Sequence, residues 1–381
     1  MKNFSILRAL LFVFPLIFCS SCSLLLTSMV ERNSESSRET SATSSYERQY
    51  KSELPKAEIK YRNATPTIVV ENEKHLNAWH SYEKIVKQEF DKENFEFLEK
   101  LAKGERDGKT RAPGGTWKLE RFYNALSIKN EDSFSEEQWK THLQLFQKWK
   151  NEKKESITAR VALADALVNY AWKARGSGFA NTITEDGARL FHERLSLAKK
   201  ELLDAKDLQE KCPNWYAVMQ TIAMGEGWDR DEYEQLFAEA ITLEPTYLPF
   251  YSKKATYLLP RWHGEEGEWE DFLEDARVKV GGKEGAVIYF KVCSELMVSY
   301  YPKYTFTKTK VSCANLLQGI NDLDSLYDLN DARLNEIILF CDLYGDKEFS
   351  KKMFQRLGDR WDPSVWKKKE AFDKEKQWAF S

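Results

Sequence analysis

Residues 213–247 read PNWYAVMQTIAMGEGWDRDEYEQLFAEAITLEPTY. Trp215, Val218, Met219 and Ile222 recur at three- and four-residue steps, and Tyr233, Phe237 and Ala240 do the same further on. That period puts each set on one face of a helix. Gly225, Glu226 and Gly227 separate the two runs and Pro245 closes the second. Glycine ends a helix at little steric cost, and proline cannot continue one. Two amphipathic helices joined this closely pack antiparallel, so the stretch predicts a helical hairpin.

Tyr233, Phe237, Ala240 and Pro245 keep a spacing that resembles the second helix of a tetratricopeptide repeat, with tyrosine at the first small position. A weaker copy precedes it at Ala198, Leu202 and Ala205, followed by Pro213. A third unit starts at Tyr247, its helices separated by the LPRWHGEEGEWE connection of residues 259–270. Leu334, Ile337, Ile338 and Cys341 pair with Phe349, Met353 and Leu357 as another hairpin. In such arrays small residues let two helices approach and the aromatic fills the gap to the next hairpin.

The rest of the chain follows the same period. Apolar residues from Leu76 to Leu101 read as one helical element that Gly104 and the RDGKTRAPGG stretch (106–115) terminate. A shorter helix spans Trp117 to Ile128, and Ser133 or Ser135 caps one that carries Trp139, Leu143, Phe146 and Trp149 on one face. Ser156 to Arg175 gives the clearest amphipathic helix, closed by RGSGFANTITEDG, and another spans Gly187 to Lys211. Few segments alternate as strands do. The expected fold is therefore all-α, with helical hairpins stacked as a tetratricopeptide-like solenoid.

At the N-terminus, Lys2 and Arg8 accompany an apolar run from Ala9 to Phe18, followed by small residues around Cys22. This is the layout of a secretory signal. Cys22 behind Ser20 and Ser21 resembles the acylated cysteine of bacterial lipoproteins, although Cys19 stands where such signals usually have leucine. An uncleaved spanning helix from Ile6 to Met29 is the competing reading. The division expected is a lipoprotein-type signal peptide over 1–21, an anchor and disordered tether over 22–70, a helical domain over 71–280 and a C-terminal helical extension over 281–381. The tether is rich in serine, threonine and glutamate and too poor in aliphatics to form a core. The expected location is the cell membrane or outer membrane, lipid-anchored, with the folded part periplasmic.

The composition narrows the function. Lysine and arginine number 57 against 60 acidic residues, a formal charge of -3, so the basic footprint of a nucleic-acid binder is missing and none is expected as a partner. The histidines form no HExxH pattern and no zinc spacing with cysteine, and no GxSxG elbow occurs. No catalytic residue, metal site or cofactor is expected. The four cysteines beyond the leader, Cys212, Cys293, Cys313 and Cys341, lie mostly in apolar helical contexts. They read as buried free thiols, although an oxidising periplasm permits up to two disulfides.

Several longer phrases are also informative: Gly115 to Leu119 (GTWKL), Tyr170 to Ala180 (YAWKARGSGFA), Gly227-Trp228, and Tyr257 to Glu265 (YLLPRWHGE). Together they resemble a family of uncharacterised bacterial proteins, domain of unknown function 4034, itself similar to tetratricopeptide proteins. The resemblance covers roughly Glu71 to Ala276 and implies a helical build; it brings no activity and no catalytic residues. The Arg261-to-Glu266 connection is the most distinctive stretch. Arg175, Arg261, Trp262, His263 and Glu265 are the candidate partner-binding residues, since cations and an imidazole beside a stacking aromatic suit an interaction surface. The same stretch also reads as a structural loop, with Pro260 ending a helix and Gly264 turning the chain. The function expected is a membrane-tethered module binding a protein or peptide of the cell envelope; the alternative is an envelope hydrolase with its site near Arg261 to Glu266.

Overall fold

A computed structural model describes residues 76–128, 134–176, 182–300, 309–344, 347–363, 365–366 and 368–381. The expected signal, Cys22 and the whole of the tether lie outside these residues. The described residues are all-α and, among them, no strand forms. No helix among them is long and apolar enough to cross a membrane.

The first hairpin differs from the sequence reading. Residues Leu76–Asp91 (α1) and Phe95–Gly108 (α2) are two helices. The chain turns at Glu93, whose φ is 59°, and Asn94 caps α2 by accepting from the Phe97 amide. The apolar period runs through this turn because both flanks face one partner. Phe90 and Phe95 meet the Trp149 ring at 6.0 and 5.6 Å. Gly104 does not end the element; it sits inside α2, and a Cβ there would meet nothing within 4 Å.

Helices Lys118–Leu126 (α3) and Glu136–Glu152 (α4) follow, the second opened by a capping box between Ser135 and Gln138. Ile157–Arg175 (α5) begins at Ser156, whose hydroxyl accepts from the Ala159 amide at 2.9 Å. Glu185–Asp204 (α6) is capped by Thr184 and stops seven residues short of the expected end, with Ala205 still buried. Pro213–Glu226 (α7) and Arg230–Leu243 (α8) are the hairpin read from residues 213–247, and Tyr233 and Ala240 are fully buried between its helices and their neighbours. Leu248–Tyr257 (α9) and Glu268–Val280 (α10) flank the long connection. Gly282–Tyr300 (α11), Cys313–Tyr327 (α12), Asp331–Tyr344 (α13), Lys347–Leu357 (α14) and Lys369–Phe380 (α15) complete the chain.

Packing follows a regular rule. Helices α3, α5, α7, α9 and α11 touch in succession; α5, α7, α9 and α11 each also pack against both sequence neighbours, and α3 packs against α1 and α2. The division expected at residue 280 falls at the Gly281–Gly282 turn, and α11 packs on both α9 and α10 across it. One contiguous apolar core runs from Val86 to Ala379. Cys212, Cys293 and Cys341 are buried thiols outside any disulfide; Cys313 is outside any disulfide too, but it opens α12 and is exposed.

Residues 109–117, read from the sequence as the end of one helical element and the start of the next, clip distant parts together. Arg111 lays its guanidinium 3.3 Å from the Trp117 ring centroid and donates to the Thr246 hydroxyl at 3.0 Å. The Trp117 indole donates to the Thr246 carbonyl at 3.0 Å, and its ring meets Tyr247 edge-on. The Gly114 amide donates to the Asp328 carbonyl at 2.9 Å, and Lys291 donates to the Gly114 carbonyl and the Thr116 hydroxyl at 3.1 Å each. Gly115 has φ +73°, and a Cβ there would lie 2.8 Å from the Tyr327 ring, so only glycine fits without displacement.

Candidate functional site

The middle of α6, the C-terminal end of α7 and the turn into α8 surround an open groove of about 650 Å³, lined by His192, Lys199, Glu226, Gly227, Trp228 and neighbours. Its volume lies in the range of small-ligand and peptide sites. Lys199 pairs with Glu226 at 2.7 Å and stands 4.8 Å over the Trp228 ring, and the Trp228 indole donates to Glu226 at 2.8 Å.

Beside this groove lie three of the five residues singled out from sequence. Arg175, the last residue of α5, places its guanidinium 5.3 Å from the Trp172 ring and 5.2 Å from the Trp262 ring. Arg261 stands 5.6 Å from Trp262, and the two indoles meet edge-to-face at 5.6 Å. Burial, and then the charge of Arg261, hold the Arg175 guanidinium below its ordinary pKa. Two like charges over one pair of indoles form a cationic, aromatic patch. Phe191 packs edge-on against Trp172 at 4.9 Å and carries the patch toward His192 in the groove wall.

The other two residues have different surroundings. His263 stacks on Tyr257 at 4.7 Å, and its Nε2 donates to the Met224 carbonyl at 2.9 Å. It therefore fastens the connection to the C-terminal end of α7. Glu265 is exposed, and its backbone amide donates to the Glu268 carboxylate at 2.9 Å. The loop reading holds for this half of the stretch. Gly264 is decisive there, because a Cβ on it would lie 2.0 Å from the Leu258 carbonyl oxygen. Tyr257 in turn stacks on Tyr233 at 3.8 Å, which ties the connection to α8.

A second polar cluster was not singled out from sequence. Glu120 of α3, Asp165 of α5, Lys253 of α9 and Glu295 of α11 influence one another electrostatically, and all four keep partial contact with solvent. Enclosure by protein pushes Asp165 up to about 6, against the pull of Lys253 and a 3.5 Å hydrogen bond from the Ser127 hydroxyl. It pushes Glu295 up to about 7, although the Ser252 hydroxyl donates to it at 2.9 Å. Burial likewise raises Glu120 and lowers Lys253. Perturbed carboxyls reachable by solvent are a physical mark of a site. The sequence signal was faint: Asp165 is the single charge in the apolar run VALADALV.

Among the described residues, no three His, Cys, Asp or Glu side chains gather as metal ligands. His142 illustrates a buried alternative: its Nε2 donates to the Leu126 carbonyl at 3.2 Å, its ring meets Phe146 edge-on, and burial lowers its pKa to about 4. No protein-family model, curated protein or solved structure matches this chain.

Proposed function

We propose that this protein is a lipid-anchored interaction module of the bacterial cell envelope, held to the membrane through Cys22 and binding a protein or peptide partner at the groove of His192, Lys199 and Trp228 and the Trp172–Trp262 patch beside it. On this reading the successive hairpins form a tetratricopeptide-like solenoid, in line with the resemblance to domain of unknown function 4034, and the folded part is periplasmic. The observation that carries it is the joining of Arg175, Arg261, Trp172 and Trp262 beside an open groove. Tryptophan and arginine dominate the binding energy of protein interfaces, because they combine large apolar area with directed polar contacts. What favours binding over hydrolysis at this place is His263, whose Nε2 is engaged by the Met224 carbonyl, with Glu265 out at the surface.

The test is crosslinking of the full-length chain in its native envelope beside Cys22→Ala and Trp262→Ala. The reading expects one specific product that both substitutions abolish, with Cys22→Ala shifting the protein from membrane to soluble fraction. An unchanged crosslinking pattern with Trp262→Ala would remove the groove from the proposal, and retention of Cys22→Ala in the membrane would remove the lipid anchor.

A further inference from the structure

The patch of Trp172, Trp262, Arg175 and Arg261 consists of two indoles and two guanidiniums, groups that donate hydrogen bonds and do not accept them. Both guanidiniums stand over one indole: Arg175 lies 5.2 Å and Arg261 5.6 Å from the Trp262 ring. One Arg175 N–H goes to the neighbouring Gly176 carbonyl at 3.2 Å, and the charge of Arg261 opposes that of Arg175. The indole N–H groups of Trp172 and Trp262 are closed off from solvent and meet no acceptor, and the Trp172 side chain belongs to a residue only 9 % exposed. A buried donor left unmet costs free energy that an acceptor recovers. The carboxylates of the adjoining chain are engaged or lie at the surface. Glu226 takes Lys199 at 2.7 Å and the Trp228 indole at 2.8 Å, Glu268 takes Arg230 at 2.7 Å, and Glu265 and Glu266 are exposed.

The groove beside the patch has the opposite charge. Phe191 meets the Trp172 ring at 4.9 Å and the His192 ring at 5.6 Å, and a Cβ on Gly227 would lie 3.8 Å from His263 Cε1, so patch and groove share a border. Asp229 stands at the N-cap position of α8 without making a capping bond, and Glu232 lies in the first turn; both line the groove and are exposed. With Lys199 paired to Glu226, these two carboxylates leave the groove wall negative.

We propose that the partner is a peptide segment with two charges: an aspartate or glutamate side chain seated on the Arg175–Arg261 patch, and a lysine or arginine side chain reaching Asp229 and Glu232 in the groove. The assignment rests on the interaction-module reading and gives that module's partner its chemistry. A carboxylate suits the patch because its two coplanar oxygens match the fork of a guanidinium and accept further N–H groups. A more highly charged phosphate would bring its extra negative charge beside Asp229 and Glu232. A basic side chain in the same segment turns that repulsion into attraction, and opposite poles on one surface fix the direction in which the segment lies.

Selection from a phage-displayed library of random peptides on the full-length protein tests this, with Trp262→Ala as a parallel target. The expected clones bind the parent and not Trp262→Ala, and they carry an acidic and a basic residue at a recurrent separation. A synthetic peptide of the enriched sequence, followed by fluorescence anisotropy, then locates the two charges. Exchanging its acidic residue for the amide should weaken binding to the parent at least about tenfold. The same exchange should weaken binding to Arg175→Gln or Arg261→Gln by at most about threefold, because the charge it meets is already reduced. Exchanging its basic residue should give the same contrast between the parent and Asp229→Asn or Glu232→Gln. Every variant is first checked for a native circular dichroism spectrum. Clones that depend on Trp262 but lack the charge pair, or equal losses in the parent and the arginine variants, would overturn the proposal and leave the groove standing as an interaction site. Clones indifferent to Trp262→Ala, or no enriched clones, would remove the groove reading itself and this assignment with it.

Discussion

Gly264→Ala is the sharpest test of how the connection after α9 is built. The added methyl would sit 2.0 Å from the Leu258 oxygen, 2.3 Å from its carbonyl carbon and 2.6 Å from its Cα. Ordinary contacts at these atoms need about 3.2 Å or more, so backbone must move by roughly 1 Å. No flexible side chain can absorb that, because the obstacle is main chain. The turn also holds the Trp262 amide on the Leu259 carbonyl at 2.8 Å and the His263 amide on the Tyr257 carbonyl at 3.1 Å, and both are strained by the shift. Overpacking against backbone costs about 2–4 kcal/mol. For a folded part of this size a degree of Tm corresponds to roughly 0.6 kcal/mol, so Tm should fall by about 3–6 °C. The displacement should also loosen the Trp172–Trp262 contact, which near-ultraviolet circular dichroism reads directly. A variant within 1 °C of the parent and with an unchanged near-ultraviolet spectrum would refute this account of the loop.

Other outcomes follow from the same geometry. Arg111→Ala removes a buried guanidinium from between Trp117 and Thr246 and should cost about 3–5 kcal/mol, seen as a lowered urea midpoint. Gly115→Ala should cost about 1–3 kcal/mol by the same measurement, because it adds a Cβ against Tyr327 at a positive φ. Glu295 has a raised folded pKa of about 7, so the folded state binds the proton more strongly than the unfolded one and loses stability as pH rises from about 4.5 through 7. Glu295→Gln should therefore gain stability relative to the parent over that window, with little difference below it. His142, lowered to about 4 by burial, acts in the opposite sense. The unfolded chain takes up its proton first, so stability falls as pH drops from about 6.5 toward 4, and His142→Gln should flatten that slope in pH-dependent urea unfolding.

Much of the fold was legible because its helices carry uninterrupted periodicity and local caps. The α7–α8 hairpin and the Ser156 start of α5 needed only neighbouring residues to specify them. What escaped depended on partners far away in sequence. The turn at Glu93 is hidden because Phe90 and Phe95 both serve the same tryptophan, so the apolar rhythm passes through a change of direction. The RAPGGTW stretch reads as a helix stop from its glycines, while its real role rests on Thr246, Lys291 and Asp328. At the groove, Arg175 and Trp262 were legible as unusual chemistry in connections, but Trp172 looked like any core residue of α5. The inner carboxyls were illegible for a simpler reason: a single charge per helix looks like a solvated face until four helices bring those charges together.

The clip at residues 109–117 also bears on how the chain reaches its native state. Stacked hairpins that touch only their neighbours gain and lose structure piecemeal, unit by unit. Here the Gly114 amide closes on the Asp328 carbonyl and Arg111 on Thr246, the latter 135 residues away in sequence. At ordinary synthesis rates of about 5–20 residues per second, the early segment waits roughly 10–40 s for its last partner to be made. Arg111 and Trp117 meet Thr246 and Tyr247 earlier, and the clip closes fully only when the residues after α12 bring Asp328 to Gly114. Residues 111–117 and the stretches around 246, 291 and 328 are thereby joined into one cooperative unit, in which damage at one of them is felt at the others.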